Sequence, residues 1–580
     1  MSEPQEQFEF AALDRQFAKL LARLAGDENS SELELAAKLA SWNRREGNIC
    51  VHLPSVAGTT WGRLTLPPLE AWTRRLRDTS VVGKPGEFKP LVLDAAGRLY
   101  LHRYWDYETR LAAAIRRRAA SNGDLVFDES KATELLHRLF PNDGSGETNW
   151  QKVAAFTALR RRFCVISGGP GTGKTRTVVV LLALLLELAG EPPLRIALAA
   201  PTGKAAARLQ ESLRKLKATL ACPDSVKSHL PEESFTLHRL LGSRPESAFF
   251  KHDAENPLPF DAVIVDEASM VDLALMTKLV EAVPPDARLI LLGDRDQLAS
   301  VEAGSVLGDI CEAAKTSQEG GLAGCVVQLE KNYRFGSANG LLALSRAVNA
   351  GDASTAMELL SSAAAITGRP LPARTQLKAA LREKVLNGFG PVFDATDAAA
   401  ALAALTRCRI LCALREGPFG VTGLNRFIEE ILRDAGRIQE QGPWYRGRPV
   451  MITRNDYSLG LFNGDVGVLW PDPVSGQPRA WFADATTGVR AVLPLRLPEH
   501  ETAFAMTVHK SQGSEFAGVL LLLPDRPSPV LSRELIYTGL TRASERAEVW
   551  FTEPVLRVAL AQRATRTSGL QDQLKAPANG

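Results

Sequence analysis

The stretch Gly168-Gly169-Pro170-Gly171-Thr172-Gly173-Lys174-Thr175 constrains this chain more than any other. It follows a short apolar run at 163–167 and opens a strongly helical segment, so it reads as the loop of a strand–loop–helix unit. Its glycines let backbone N–H groups turn inward around an anion, and the helix N-terminus adds a favourable dipole. Such a loop cradles the phosphates of a nucleoside triphosphate, with Gly168 through Arg176 as the binding surface. Lys174 bridges the β- and γ-phosphates, and Thr175 presents its hydroxyl to Mg²⁺. A chain built around this unit folds as a parallel sheet with helices on both faces.

The flanking sequence repeats that grammar. Apolar runs at 196–200, 262–265 and 289–292 alternate with helical stretches, as parallel strands do. A second series appears at 410–414, 504–508, 519–523 and 548–551. Between its members, 443–500 is rich in Gly and Pro with short alternating runs, which predicts a small β-rich, SH3-like insertion. The turn cluster Pro141-Asn-Asp-Gly-Ser-Gly146 marks a boundary. The expected organisation is an N-terminal, mainly helical domain at 1–110, a helical linker at 111–146 and a first α/β domain at 147–345 with a small insertion near 215–258. A second α/β domain takes 346–442 and 501–580, interrupted by 443–500. The basic run Arg116–Arg118 reads as a solvated helix face. At 580 residues, this count of domains fits ~100–200 residues for each.

Carboxylates turn nucleotide binding into hydrolysis. The segment Asp261-Ala-Val-Ile-Val-Asp266-Glu267 is an apolar strand ending in two acids. Asp266 is placed to hold the Mg²⁺ shell and Glu267 to polarise the attacking water. A third strand ends in Gly293-Asp294-Arg295-Asp296-Gln297, and an amide such as Gln297 suits a γ-phosphate sensor because it adds no charge repulsion. Arg334, in the segment 332–335, and Arg542, in 537–543, can finish the site from other elements by stabilising charge on the transferring phosphoryl group.

Taken in order, GGPGTGKT (168–175), APTGKAA (200–206), VDEASM (265–270), LLGDRDQL (291–298), NYRF (332–335), TVHKSQGSEF (507–516) and YTGLTRA (537–543) resemble the motifs of superfamily 1 DNA helicases. The stretches LCALREGPFGVTGLN (411–425), TLHRLLG (236–242) and Arg566-Thr-Ser-Gly-Leu570 are similar to the RecD family within them, the alpha subunits of exodeoxyribonuclease V. The resemblance covers 149–543 by motif. It implies two RecA-like domains with ATP between them, Gln151 reading adenine and Glu515 near the ribose. It places Pro201, Thr202, Lys204, Thr507 and His509 on single-stranded DNA, with His238 a weaker candidate; hydroxyls, amides and a lysine bind phosphates without reading sequence.

The same resemblance implies a 5′-to-3′ translocase and helicase acting on single strands and duplex ends, in a heterotrimer with RecB-like and RecC-like subunits that serves double-strand break repair and recombination. ATP and Mg²⁺ are its cofactors, and residues 1–110 its docking module. No persuasive carboxylate-plus-lysine nuclease cluster stands outside the ATP site, and in that family the nuclease belongs to the beta subunit. Two other readings compete: a stand-alone RecD-like helicase, for which the region before the linker is short, and a DNA-dependent ATPase switch for a partner nuclease.

Bulk properties narrow the setting. A net charge of +3, from 69 basic and 66 acidic residues, is too balanced to argue for nucleic acid, so any binding patch must be local. Seven scattered cysteines suit a reducing cytosol. The first nine residues lack a secretory pattern, and the longest apolar run, 178–186, is too short to span a bilayer. The expectation is a cytoplasmic, nucleoid-associated protein without membrane contact.

Overall fold

The structure, a computed structural model, describes residues 9–26, 30–120, 127–140, 147–244, 247, 249–316, 322–333, 340–362, 365–456, 458–484 and 488–575. The turn cluster 141–146 and Arg334 therefore lie outside the described residues.

The strand before the phosphate loop, Phe163–Gly168, is buried along its whole length. It lies inside a six-stranded parallel sheet ordered Val326–Leu329, Phe163–Gly168, Arg288–Gly293, Ala262–Val265, Ile196–Ala200, Phe235–Thr236. Strands covered on both faces read as unbroken apolar runs, which is why they stand out in the sequence. One face packs Lys174–Ala189, Glu129–Leu139, Trp150–Arg160 and Gly203–Lys217. Lys174–Ala189 is buried continuously from Thr177 to Leu186, an all-round apolar helix in a core. His102–Ala120, Leu273–Ala282 and Val306–Thr316 cover the other face.

A second parallel sheet runs Ile366–Pro370, Ala543–Phe551, Phe516–Leu522, Cys408–Cys412, Ala505–Thr507. Leu341–Ala350, Arg533–Leu540 and Glu553–Ala561 pack on one side, and Leu377–Phe393 and Val421–Asp434 on the other. These are two α/β units of the same architecture. Five antiparallel strands from Pro449–Ile452 to His500–Thr502 form a separate small sheet with its own core, including Val450, Leu469 and Phe482. In the N-terminal region, helices Ala12–Ala25, Ser31–Arg45 and Leu69–Arg77 pack around Trp72, whose indole donates to Glu32 O at 3.0 Å. A four-stranded sheet, Cys50–His52 to Val82–Gly83, completes this region.

Two placements differ from the sequence expectation. Arg118 is buried rather than solvated: its guanidinium donates to the carbonyls of Val280, Val283, Pro284 and Ala287, where the helix Leu273–Ala282 ends. A cation at a helix C-terminus meets carbonyls that lack intrahelical partners. The last helix, Leu570–Lys575, was expected with the second α/β unit. It packs instead on the first, with Leu570 and Leu574, one turn apart, in the core beneath His102–Ala120 and Val306–Thr316. No described helix is long and apolar enough to cross a membrane.

Candidate active site

The phosphate loop is built by two left-handed glycines, Gly171 at φ 81° and Gly173 at φ 83°, the latter heading Lys174–Ala189. Lys174 Nζ donates to the carbonyls of Gly168 at 2.6 Å and Gly169 at 3.1 Å. The Gln151 amide donates to Thr172 O at 3.0 Å from beneath the loop. A Cβ on Gly173 would stand 2.0 Å from that amide nitrogen, so any side chain here must displace Gln151. Asn332 donates to Pro170 O at 2.6 Å and the Tyr333 amide to Gly171 O at 2.7 Å, closing the segment before Arg334 over the loop. Thr175 is half-buried and Arg176 exposed in the first turn.

Asp266 and Glu267 leave the buried strand Ala262–Val265 at the same sheet edge. Glu267 takes φ 52°, the left-handed region a glutamate enters at a cost of about 1–3 kcal/mol. Its amide donates to Asp266 Oδ1 at 2.8 Å, which fixes the first carboxylate against the turn, within the field of the second. Burial pushes the Asp266 carboxyl up to about 6, the neighbouring Glu267 charge adds to this, and Lys174 opposes it. An oxygen set of Thr175 hydroxyl and Asp266 carboxylate, crowded by a second carboxylate, is chemically suited to Mg²⁺.

The second α/β unit closes the site through uncharged side chains. Asp294, buried at the end of Arg288–Gly293, accepts from Gln297 Nε2 at 3.0 Å and from the Tyr537 hydroxyl at 2.8 Å. Thr538 Oγ1 accepts from Leu298 N at 2.9 Å, and Gln512 Nε2 donates to Leu298 O at 2.9 Å. Tyr537 also abuts the phosphate loop, its hydroxyl 2.8 Å from where a Gly169 Cβ would lie. Arg542 is buried, donating to Thr538 O at 3.1 Å and Ser514 O at 3.3 Å; burial lowers its pKa, while the charges of Glu267 and Glu515 act to hold its proton. Glu515 is ion-paired with Arg208 of the first unit. A cleft of about 330 Å³ between the units is lined by Gly169, Pro170, Asn332, Arg346, Tyr537 and Thr541.

The residues expected on DNA gather at the C-terminal edges of the two sheets. Pro201 and Thr202 follow Ile196–Ala200, and Thr202 Oγ1 accepts from Ala205 N at 3.2 Å to cap Gly203–Lys217. Parallel pairing of Ala200 with Thr236 brings His238 to the same edge, exposed and edge-on to Phe250 at 5.7 Å. Phe462, from the β-rich insertion, covers Gly203 so closely that a Cβ there would lie 2.5 Å from its ring. Beneath it, burial and the Arg409 charge push the Lys204 ammonium down to about 8, with Asp465 opposing. In the second unit, Cys412 pairs with Thr507, whose hydroxyl accepts from Lys510 N at 3.3 Å. His509, half-buried, is kept toward its neutral form by burial and by Arg566.

Sequence reasoning did not single out Arg208, Asp294, Tyr333, Gln512 or Tyr537. Arg208 lies four residues beyond Lys204, one helical turn along the same face, and the other four stand inside quoted motifs; those positions were the available signals.

Three family models match the chain: an AAA domain over 151–303, a UvrD-like helicase C-terminal domain over 502–549, and the N-terminal domain of RecBCD enzyme subunit RecD over 6–100. The chain is 40% identical over 594 residues to the RecBCD enzyme subunit RecD of Mycobacterium tuberculosis, spanning 98% of this chain and 95% of that one. It is 33% identical to the subunit of the same name from Haemophilus influenzae, with 96% of each covered. It is 30% identical to the ATP-dependent RecD2 DNA helicase of Deinococcus radiodurans, over 92% of this chain and 69% of that protein.

Proposed function

The chain belongs to the RecD family of helicase subunits, and from that premise we propose that it is the 5′-to-3′ single-stranded DNA motor of a RecBCD-type helicase–nuclease. It is an ATP-dependent DNA helicase by family. The observation that carries the motor reading is the meeting of the two α/β units at the phosphate loop: Tyr537 and Thr541 of the second unit line one cleft with Gly169 and Pro170 of the first, Tyr537 and Thr538 bond to Asp294 and Leu298, and the buried Arg542 feels the Glu267 charge.

On this reading Lys174 and the loop amides bind the triphosphate, Gln151 lies on the base side, and Thr175 and Asp266 hold Mg²⁺. The ion, when bound, offsets phosphate charge. Glu267 orients the water and takes its proton as the bond to the β,γ-bridging oxygen breaks and ADP leaves. Gln297 reads the γ-phosphate while tied to Asp294, and Arg542 and Arg334 stabilise the charge that develops. Closure and release of the cleft alternate the grips of Pro201, Thr202 and Lys204 in one unit and Thr507 and His509 in the other, which moves the strand. RecB-like and RecC-like chains are the partners, and the domain matched over 6–100 supports an N-terminal docking role. The relative named ATP-dependent RecD2 DNA helicase supports a second reading, in which the chain is a DNA helicase in its own right.

Lys174→Gln in the co-expressed complex tests the motor. The variant is expected to assemble normally and to lose ATP hydrolysis and 5′-to-3′ unwinding of a 5′-tailed duplex. Unwinding of that duplex at the wild-type rate refutes the assignment, and unwinding by the isolated wild-type chain selects the second reading.

A further inference from the structure

The C-terminal segment returns from the second α/β unit and inserts one guanidinium where three parts of the molecule meet. Arg566 Nη1 donates to the carbonyls of Glu302 and Gly304, the latter at 3.0 Å, and reaches Ser300 Oγ at 3.5 Å. Those acceptors end the loop that begins with Asp294, Gln297 and Leu298. The same loop stretch is bonded to the N-terminal domain: Gly304 N donates to Gly47 O at 2.9 Å, and Arg44 pairs with Glu302 at 2.9 Å. The guanidinium lies against Gly47, where a Cβ would be 2.9 Å from Cζ, so this glycine makes room for it. The next residue continues the attachment, with Ile49 N donating to Thr567 O at 2.9 Å and Thr567 N to Asn48 Oδ1 at 2.8 Å.

Both ends of this connection are short. Gln562 O accepts from Arg533 N at 3.0 Å and Ala564 N donates to Glu534 Oε2 at 2.8 Å, so the chain is still fixed to the second unit at Ala564. Two residues on, Arg566 is fixed to the first unit. A two-residue span reaches about 7 Å when extended, which leaves little slack for relative motion of the units. Beyond Arg566, Ser568 Oγ and Gly569 N donate to the buried Glu108, and Gln571 to Asp309, so the anchor is firm.

We propose that Arg566 is a positioning residue that couples cleft closure to the Asp294–Gly304 loop and to the N-terminal domain. One end of the loop is held from the second unit by Tyr537, Thr538 and Gln512; its other end is held by Arg566, which that unit moves through the short segment, itself tightened by the Thr565 N to Arg563 O turn at 2.9 Å. Movement of the second unit therefore shifts the loop at both ends together and changes the placement of Gln297. His509 also feels the Arg566 charge, so DNA contact and loop position are read through one side chain. This inference rests on the motor reading above, and it makes the N-terminal domain a lever on hydrolysis as well as a docking surface.

The test compares Arg566→Ala and Arg566→Lys in the full chain, measuring ATP hydrolysis with and without saturating oligo(dT). Arg566→Ala is expected to keep its basal rate and KM for ATP within about twofold and to lose DNA stimulation about tenfold, inside the usual range of coupling between sites. Arg566→Lys, which keeps the charge with a poorer fork, is expected to lose about threefold. Stimulation within twofold of wild type in the alanine variant overturns the proposal, and so does an equal fall of basal and stimulated rates. If the alanine variant does not fold, the lysine variant decides by the same criteria. Absence of DNA stimulation in the wild type refutes the motor reading itself, a separate outcome.

Discussion

Gly173→Ala tests how the phosphate loop and Gln151 depend on each other. Gly173 has φ 83°, and its missing Cβ would lie 2.0 Å from Gln151 Nε2. An alanine in the left-handed region costs roughly 1–2 kcal/mol. Its methyl must also displace the Gln151 amide and break the 3.0 Å bond to Thr172 O, about 1 kcal/mol more. The sum, about 2–3 kcal/mol, falls on the loop conformation that binds phosphate, and predicts affinity for a fluorescent ATP analogue weakened by up to roughly 30- to 150-fold as the variant loop relaxes away from it. Gln151→Ala loses the bond to Thr172 O together with any contact to the base, and is expected to weaken binding at least about fivefold. Because Gly173→Ala has already expelled Gln151, the double variant should bind within about twofold of Gly173→Ala alone, a coupling near 1 kcal/mol. Equilibrium titration of the four proteins completes the cycle. Strict additivity would show that the two residues act independently and refute the argument.

Lys204, held at about 8, is charged below that pH and neutral above it, while a bound phosphate raises its pKa. Single-strand affinity is therefore expected to be fully present at pH 7 and to fall as pH rises toward 9, with a salt slope shallower by about 0.7; Lys204→Gln should be flat across that window, and a pH step of equal size in it refutes the assignment. Glu108→Ala strips acceptors from Tyr100, Ser568, Gly569 and Gln573, all buried or partly buried. A loss of about 3 kcal/mol and early proteolytic release of the C-terminal segment are expected, and denaturant unfolding followed by mass mapping of cleavage sites measures both.

Much of the fold was legible because strands such as Phe163–Gly168 and Ala262–Val265 are covered on both faces and carry uninterrupted apolar residues. The phosphate loop was legible for a different reason: its glycines answer a local demand, positive φ, that no other residue meets as cheaply. What the sequence hid is contact between distant segments. Arg118 looked like one charge in a solvated run because nothing local shows that the carbonyls ending Leu273–Ala282 lie over it. Phe462 belongs to the β-rich insertion, and only the folded chain shows it covering Gly203 of the first unit. Leu570 and Leu574 mark one apolar helix face without saying which core receives it. The carboxylate of Glu515 was read beside a nucleotide ribose, and its ion pair with Arg208 is likewise invisible until the two units meet.

That meeting supports the proposal that the cleft changes with its nucleotide. The charged side chains around it are Lys174, Arg208 and Arg542 against Asp266, Glu267, Asp294 and Glu515, and several hold shifted proton affinities because burial weakens solvent screening. The bonds that tie the units together there come from the uncharged side chains of Tyr537, Thr538 and Gln512, the first to the Asp294 carboxylate, and from the Arg208–Glu515 ion pair. They set the approach of the units and answer Asp294 and Glu515 among the charges. Arg542 donates to carbonyls and a hydroxyl, weak partners for a guanidinium beside anionic phosphate. On the motor reading proposed above, a triphosphate entering with its cation would give Lys174 and Arg542 stronger acceptors and compete with Glu515 and Glu267 for them, and its hydrolysis and release would return both side chains to their carbonyls. On that reading the free-energy difference between the two arrangements is electrostatic and local, and the Asp294–Gly304 loop, held by the second unit at one end and by Arg566 at the other, is the element proposed to turn it into displacement.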